Sequence, residues 1–344
     1  MADESVALAG LREAIGSSTH VLILPHNDPD PDAIASAVAL KFLLVELWGV
    51  TAEIRYNGII GRAENQALVT YLGDELEPMQ MQRVTAPVIL VDTQPGAGNN
   101  PLPEGTTVEA VIDHHPLLPQ TPRAAFADVR PDVGACATIL TEYLLAADLT
   151  PPTTLATGLF YGIKSDTMAL GRNVAESDVE AYVYLQALTD PDALIEIEQA
   201  QVPPAYFQSI NTTLEAARVY EDVLIADVGV MAYPDLVAEL ADWLLRLQGV
   251  DWVVCMGVYR NSLRLAVRTR HHEGGAGHMV QKIVAADGIA GGHGTMAGGQ
   301  VALNGLAAST VSARLRRRIL SYFGIPATAG RRLMTITGEE GALT

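Results

Sequence analysis

Histidine and aspartate gather at four points of the sequence, and each follows an apolar run of strand or helix length. The first point is His26-Asn27-Asp28-Pro29-Asp30-Pro31-Asp32, between the buried-strand pattern of Val21 to Pro25 and a helical stretch starting at Ala33. A histidine and several carboxylates thereby stand at the carboxyl end of a strand, where open α/β sheets form their ligand crevice. Taken alone, the segment reads as a turn and a cap, with Asp28 shaping the turn and Asp32 capping the helix. The second and third points tip the balance. Val88 to Val91 ends in Asp92, and Ala110 to Ile112 ends in Asp113-His114-His115-Pro116. The fourth is Asp166, expected just beyond a helix over Thr153 to Ile163.

Carboxylates crowded at neighbouring strand ends repel one another and lose hydration, which costs several kcal/mol unless a cation sits among them. Oxygen and imidazole donors without thiolate suit Mn²⁺ or Mg²⁺ better than a structural zinc. His26, Asp30, Asp32, Asp92, His114 and Asp166 are too many ligands for one ion that keeps open positions. Two divalent ions fit. A carboxylate shared between them would hold them about 3.5 to 4 Å apart, the spacing that serves phosphoryl transfer.

The elements that must position these groups read as an α/β fold. Short apolar runs alternate with helical patterns through the first half, with strands at Val21–Pro25, Ala52–Tyr56, Val88–Asp92 and Val108–Asp113 and helices at Ala33–Leu47, Ala135–Ala147 and Thr153–Ile163. That alternation is the mark of β-α units and a parallel sheet. The pattern loosens into Pro-containing polar helices between about Asp190 and Ala217. The chain then resumes with strands at Asp222–Val230, Trp252–Tyr259 and Leu263–Thr269, and helices at Pro234–Gln248, Met279–Ala286 and Ser309–Phe323. We therefore expect a catalytic domain over 1–190, a helical linker over 191–220 and a smaller α/β domain over 221–344, with the site in a cleft between the two domains.

Composition narrows the function classes. A net charge of −18 over 344 residues argues against a broad phosphate-binding surface and hence against long duplex nucleic acid as a partner. Only Lys41, Lys164 and Lys282 among the 22 basic residues are lysine. Cys136 and Cys255 lie in apolar stretches without metal-ligand spacing and read as small core residues. No uncharged apolar run reaches membrane-spanning length and the first residues are acidic, so the expectation is a soluble cytoplasmic protein without membrane contact, for which a homodimer is allowed.

With these residues in this order, the chain resembles the DHH phosphoesterases. His26-x-x-x-Asp30-x-Asp32-Ala33 matches the first motif, Asp92 the second, Asp113-His114-His115 the third and Asp166 the fourth. The family commonly has glycine where Pro31 stands here. The resemblance implies His26, Asp30 and Asp92 on one metal, and Asp32, Asp92, His114 and Asp166 on the other, with Asp92 bridging. It further implies His115 at the scissile phosphate and Asp113 orienting imidazole.

The second half resembles the type 1 DHH-associated domain through Gly291-Gly292-His293 and Ala297-Gly298-Gly299, with Ala290 in place of a usual leading glycine. The resemblance implies a glycine-rich loop whose bare amides approach phosphate while His293 meets a base. Arg264, Arg268 and Arg270 alternate on one strand face and are expected to grip a terminal phosphate, whereas Arg314, Arg316, Arg317 and Arg318 read as a solvated helix face.

The function so implied is hydrolysis of short oligoribonucleotides, of 3′-phosphoadenosine 5′-phosphate, or of both, with two Mn²⁺ (or Mg²⁺) as cofactors and a short oligoribonucleotide or mononucleotide as substrate. Three other readings stand beside it: a cyclic or linear dinucleotide phosphodiesterase of the cyclic di-AMP type, a manganese inorganic pyrophosphatase, and a silent nucleotide-binding regulatory module.

Overall fold

The computed structural model of the protein describes residues 2–73, 76–79, 85–100, 102, 105–271 and 274–335. The chain divides into two compact units at Gln201 and Val202.

The first unit contains α1 (Ala2–Ile15), β1 (His20–Leu24), α2 (Pro31–Trp48), β2 (Thr51–Tyr56), α3 (Ala63–Leu72), β3 (Leu76–Pro78), β4 (Val88–Val91), β5 (Ala110–Asp113), β6 (Phe126–Val129), α4 (Cys136–Ala146), α5 (Thr153–Asp166), α6 (Glu176–Gln186) and α7 (Pro191–Glu198). Its six strands form one all-parallel sheet in the order β3-β2-β1-β4-β5-β6, the parallel α/β architecture expected from the alternating pattern. After β1 the chain winds toward β2, and after β4 it winds the other way toward β5. β1 and β4 are therefore neighbours at the point where the winding reverses, and such a point leaves a crevice beyond the strands' carboxyl ends.

Both sheet faces are buried, which is why the strands read as continuous apolar runs. Val21, Ile23, Ile89, Val91, Ala110 and Ile112 pack with residues of α1, α2, α4 and α5, while Leu22, Leu24, Val88, Leu90 and Val111 pack with the irregular segments that join β4, β5 and β6. α2 carries apolar residues nearly all round because it lies between the sheet and α5.

The turn after β1 depends on a backbone conformation that few residues adopt. Asp28 has φ +55, and its Oδ1 accepts the Ile59 N–H at 2.8 Å, with Gly58 at φ +87 beneath it. A Cβ at position 58 would stand 2.2 Å from that oxygen. Gly58→Ala is expected to destabilise the protein by about 1–3 kcal/mol, read from the urea unfolding midpoint; an unchanged midpoint would show that the turn relaxes freely.

The second unit contains α8 (Pro204–Ala216), β7 (Arg218–Tyr220), β8 (Val223–Val230), α9 (Leu236–Leu244), β9 (Trp252–Tyr259), β10 (Ser262–Thr269), α10 (Ala276–Val284), β11 (Gly288–His293), β12 (Met296–Ala302), α11 (Ala308–Phe323) and β13 (Arg331–Arg332). Seven strands form a mixed sheet in the order β11-β12-β10-β9-β8-β7-β13. α10 and α11 cover one face, and α8 and α9 cover the other. The residues read from sequence as a linker are two helices packed on different units, α7 against α3 and α5, and α8 against β8. No helix among the described residues is long and apolar enough to cross a membrane.

Candidate metal centre

Three strand ends and one helix end deliver the centre. His26 follows β1, Asp92 follows β4, Asp113 closes β5 with His114 and His115 directly after it, and Asp166 is the last residue of α5. The helix runs three residues beyond its expected end and carries Asp166 with it. Asp30 is the N-cap of α2, its Oδ1 accepting the Ala33 N–H at 3.1 Å, and Pro31 takes the first helical position, where a missing N–H does no harm. Asp32 is thus no cap; its side chain turns inward and is fully buried.

Each of the two inner histidines is aimed by its own backbone contact. His26 donates from Nδ1 to the Asn27 carbonyl at 2.8 Å, which turns Nε2 toward Asp30 Oδ2 at 3.6 Å and Asp92 Oδ2 at 3.4 Å. His114 donates from Nδ1 to the Val133 carbonyl at 3.2 Å and turns Nε2 toward Asp92 Oδ1 at 3.4 Å, Asp166 Oδ2 at 3.6 Å and Asp32 Oδ2 at 4.0 Å. Asp92 therefore presents one oxygen to each histidine. It does so from a left-handed backbone, φ +58, which aspartate tolerates better than most residues.

The donor set fits divalent ions. His114 Nε2 is buried and makes no hydrogen bond, an orphan amid three carboxylates. Donors sharing a Mn²⁺ or Mg²⁺ at about 2.1 Å stand about 3 Å apart when adjacent, so separations of this size need only a small contraction around an ion. Donor atoms of Asp92, His114 and His115 lie close enough together to share an ion, and so do those of two groups linked by the Asp92–His114 contact, His26–Asp30–Asp92 and Asp32–His114–Asp166. The two linked groups hold the six residues read from the sequence.

Without an ion, protons do the neutralising. Asp32 loses hydration on burial and faces Asp92, which push its carboxyl up to about 7, although the N–H groups of Cys136 and Ala137 at 2.7 Å favour its charged form. Asp166 is raised well above the carboxylate range by burial and by Asp30 and Asp32. Burial by itself would depress His114, but the Asp92 carboxylate 3.4 Å from Nε2 prevails and lifts it to about 10; Asp92 is correspondingly held well below its ordinary value, against the pull of burial, by the neighbouring imidazoles of His114, His115 and His26. A divalent ion must displace these protons. Apparent Mn²⁺ affinity is expected to rise with pH through about 7, as Asp32 ionises, and onward toward 10, as His114 does. Calorimetric titration at pH 7 in buffers of differing ionisation enthalpy should show proton release; a heat independent of buffer would contradict it.

His115 differs from the other two histidines. Its side chain is 43% exposed, and Nδ1 donates to Asp113 Oδ1 at 2.9 Å. Burial lowers its proton affinity, but the bonds to Asp113 and Asp92 outweigh this and raise the ring to about 11.

The sequence reading missed several supports. Gln94 bonds Asp113; Asp178 accepts from the Gly134 N–H and the Thr138 hydroxyl near the start of α4; Arg172 donates to the Asp166 carbonyl at 2.8 Å. A lone Gln, Asp or Arg in an irregular segment gives no pattern by which to find it. Cys136 is buried as expected, and its Sγ also lies 3.7 Å from Asp92 Oδ1.

In the second unit the expected arginine grip does not form as read. Arg268 is buried and pairs with both Asp242 oxygens, at 2.5 and 3.3 Å, and Arg270 donates to the Leu245 carbonyl just past α9. A buried guanidinium needs a fixed acceptor, and α9 packs over this part of the sheet to supply one. Arg264 lies on the same face with Nε buried and unbonded. The glycine-rich segment is not a loop but the hairpin β11–β12. Gly291 pairs with Gly298 on the face that holds Arg264, and a Cβ at 291 would meet nothing within 4 Å. Gly292, at φ +138, opposes Ala297, which leaves no room for a side chain. His293 ends β11, and its side chain lies outside the described residues. On α11, Arg314 and Arg318 pair with Asp287 rather than facing solvent alone.

Comparison with known proteins sets this geometry in context. Residues 20–163 match the DHH family, N-terminal domain. An uncharacterized protein of Methanocaldococcus jannaschii is 35% identical over 318 residues, which are 89% of this chain and 64% of that protein. A "Probable manganese-dependent inorganic pyrophosphatase" of Streptococcus agalactiae is 29% identical over 155 residues, 44% of this chain and 49% of that one. The chain thus spans under two thirds of the first relative and about half of the second. An exopolyphosphatase-related protein from Bacteroides fragilis shares the fold, with a TM-score of 0.65 at 12% identity over 94% of this chain and 97% of its own.

Proposed function

We propose, from the premise that residues 20–163 are a DHH family N-terminal domain, that this protein is a cytoplasmic metal-dependent phosphoester hydrolase acting on short oligoribonucleotides, on 3′-phosphoadenosine 5′-phosphate, or on both, to give nucleoside monophosphates. The observation that carries the reading is Asp92, whose two oxygens face two separate His-Asp groups.

On this reading His26, Asp30 and Asp92 hold one Mn²⁺, and Asp32, Asp92, His114 and Asp166 hold a second. Bound there, the ions supply an activated water at neutral pH and offset charge on the reacting phosphoryl group. The chain's own residues do the rest. His115, exposed and charged, gives a proton from Nε2 to the departing 3′ oxygen while Asp113 holds Nδ1. In the second unit, Arg264 and the open face around Gly291 and Gly298 offer a guanidinium and bare backbone suited to a phosphate.

The test is a purified sample with Mn²⁺ offered labelled dinucleotides, five-residue RNA, cyclic di-AMP, 3′-phosphoadenosine 5′-phosphate and inorganic pyrophosphate. Faster turnover of the RNA or the adenosine bisphosphate supports the reading. Pyrophosphate as the preferred substrate would replace it by the second reading, a manganese inorganic pyrophosphatase, which the 29% identity over 155 residues favours.

A further inference from the structure

Two residues beyond Asp92, Gln94 is 1% exposed, and its amide is held in a single orientation. Nε2 donates to Asp113 Oδ2 at 2.6 Å and to the Pro116 carbonyl at 3.1 Å. Oε1 accepts from the Leu118 N–H at 2.9 Å and the Thr121 hydroxyl at 2.7 Å. Reversing the amide would set its oxygen against a carboxylate and a carbonyl, and its N–H groups against the N–H of Leu118. Asp113, also 1% exposed, gives Oδ2 to Gln94 and Oδ1 to the His114 N–H, the His115 N–H and the His115 ring. A continuous chain of bonds therefore runs from Gln94 through Asp113 to the imidazole. The same amide pins the backbone on both sides of Leu117, just after the residue that bears the ring.

We infer that Gln94 is a positioning residue for His115: through Asp113 and the backbone of residues 116–118 it fixes the ring with Nδ1 toward Asp113, so that Nε2 is the nitrogen offered to the phosphoester. The inference rests on the reading of His115 as the group that meets the leaving oxygen. The amide gives a donor to Asp113 and an acceptor to Leu118 from one planar, uncharged group. A carboxylate would face Asp113 with like charge, and an apolar chain of equal length would leave Asp113 Oδ2, the Leu118 N–H and the Thr121 hydroxyl without this partner.

The test compares Gln94→Met and Gln94→Glu, each alone and combined with His115→Ala, in the full chain at saturating Mn²⁺ with the best substrate of the panel above. Either Gln94 variant alone is expected to lower kcat by about 10- to 100-fold with KM and bound metal within about twofold of the parent. In the His115→Ala background the same change should alter kcat by less than about twofold, since its effect runs through that ring. In the metal-free protein, the His115 imidazole ¹⁵N signals, identified by their loss in His115→Ala, should shift or broaden in both Gln94 variants. Gln94→Glu keeps the length and the acceptor, and decides the matter if the Met variant does not fold. Equal fractional losses in both backgrounds, or unmoved His115 signals, would overturn the inference. If His115→Ala alone leaves kcat intact, the proposed function is at fault, and the imidazole signals still report on Gln94.

Discussion

Asp92→Asn removes turnover by on the order of 10³-fold or more and takes most of the bound metal with it, while the fold persists. The size follows from position: Asp92 is the shared member of the two ligand groups, so its loss weakens both at once, whereas loss of a single preorganised group commonly costs 10²- to 10³-fold. Asparagine suits the test because it tolerates the left-handed backbone of φ +58 and nearly matches the volume. In the metal-free protein Asp92 is the ionised partner of His26, His114 and His115, so the metal-free variant should unfold at a lower urea concentration than the parent while keeping a cooperative transition. Metal content by elemental analysis and turnover by product formation are read on the same sample. Turnover near the parent's would remove the shared-carboxylate mechanism.

His115→Ala should separate chemistry from metal binding. A well-placed acid contributes about 10²- to 10⁴-fold, so kcat is expected to fall by that amount. Bound metal should stay near the parent value, because the His115 Nδ1 that faces the carboxylates is taken up by Asp113 at 2.9 Å. The comparison with Asp92→Asn is the informative one: one variant is slow and loaded, the other slow and depleted. Metal loss in His115→Ala comparable to that in Asp92→Asn would move His115 from proton donor to ligand.

The six acid and imidazole groups were legible in the sequence because each stands at an end of an element whose own pattern is strong. β1, β4 and β5 are buried on both faces and read as unbroken apolar runs, so their ends, and the acids standing there, could be located within a residue or so. The β-α alternation pointed to a parallel sheet but not to its strand order, in which β1 lies beside β4. What escaped was held by contacts without periodicity. β3 and β6 are short edge strands of mixed polarity. Beyond Asp166, Met168, Ala169 and Leu170 all take left-handed backbone, at φ +50, +54 and +64, where no glycine or asparagine announces the turn. Arg268 and Arg270 alternate as a strand face should, but the sequence could not say that Asp242 and the Leu245 carbonyl come from α9 to meet them. Nor did a run rich in glycine distinguish a loop from a hairpin, since Gly291 and Gly298 pair across two strands with a turn of only two residues between those strands.

The exchange of charge between imidazole and carboxylate bears on how the protein matures. His26, His114 and His115 hold protons against Asp30, Asp92 and Asp113, and Asp32 and Asp166 can hold their own, so the newly made chain can close this pocket before any ion arrives. On the proposed reading folding would precede metal loading, unlike in small domains that stay unfolded until zinc is delivered. An ion entering such a pocket would meet donors already folded into place and would have to expel their protons.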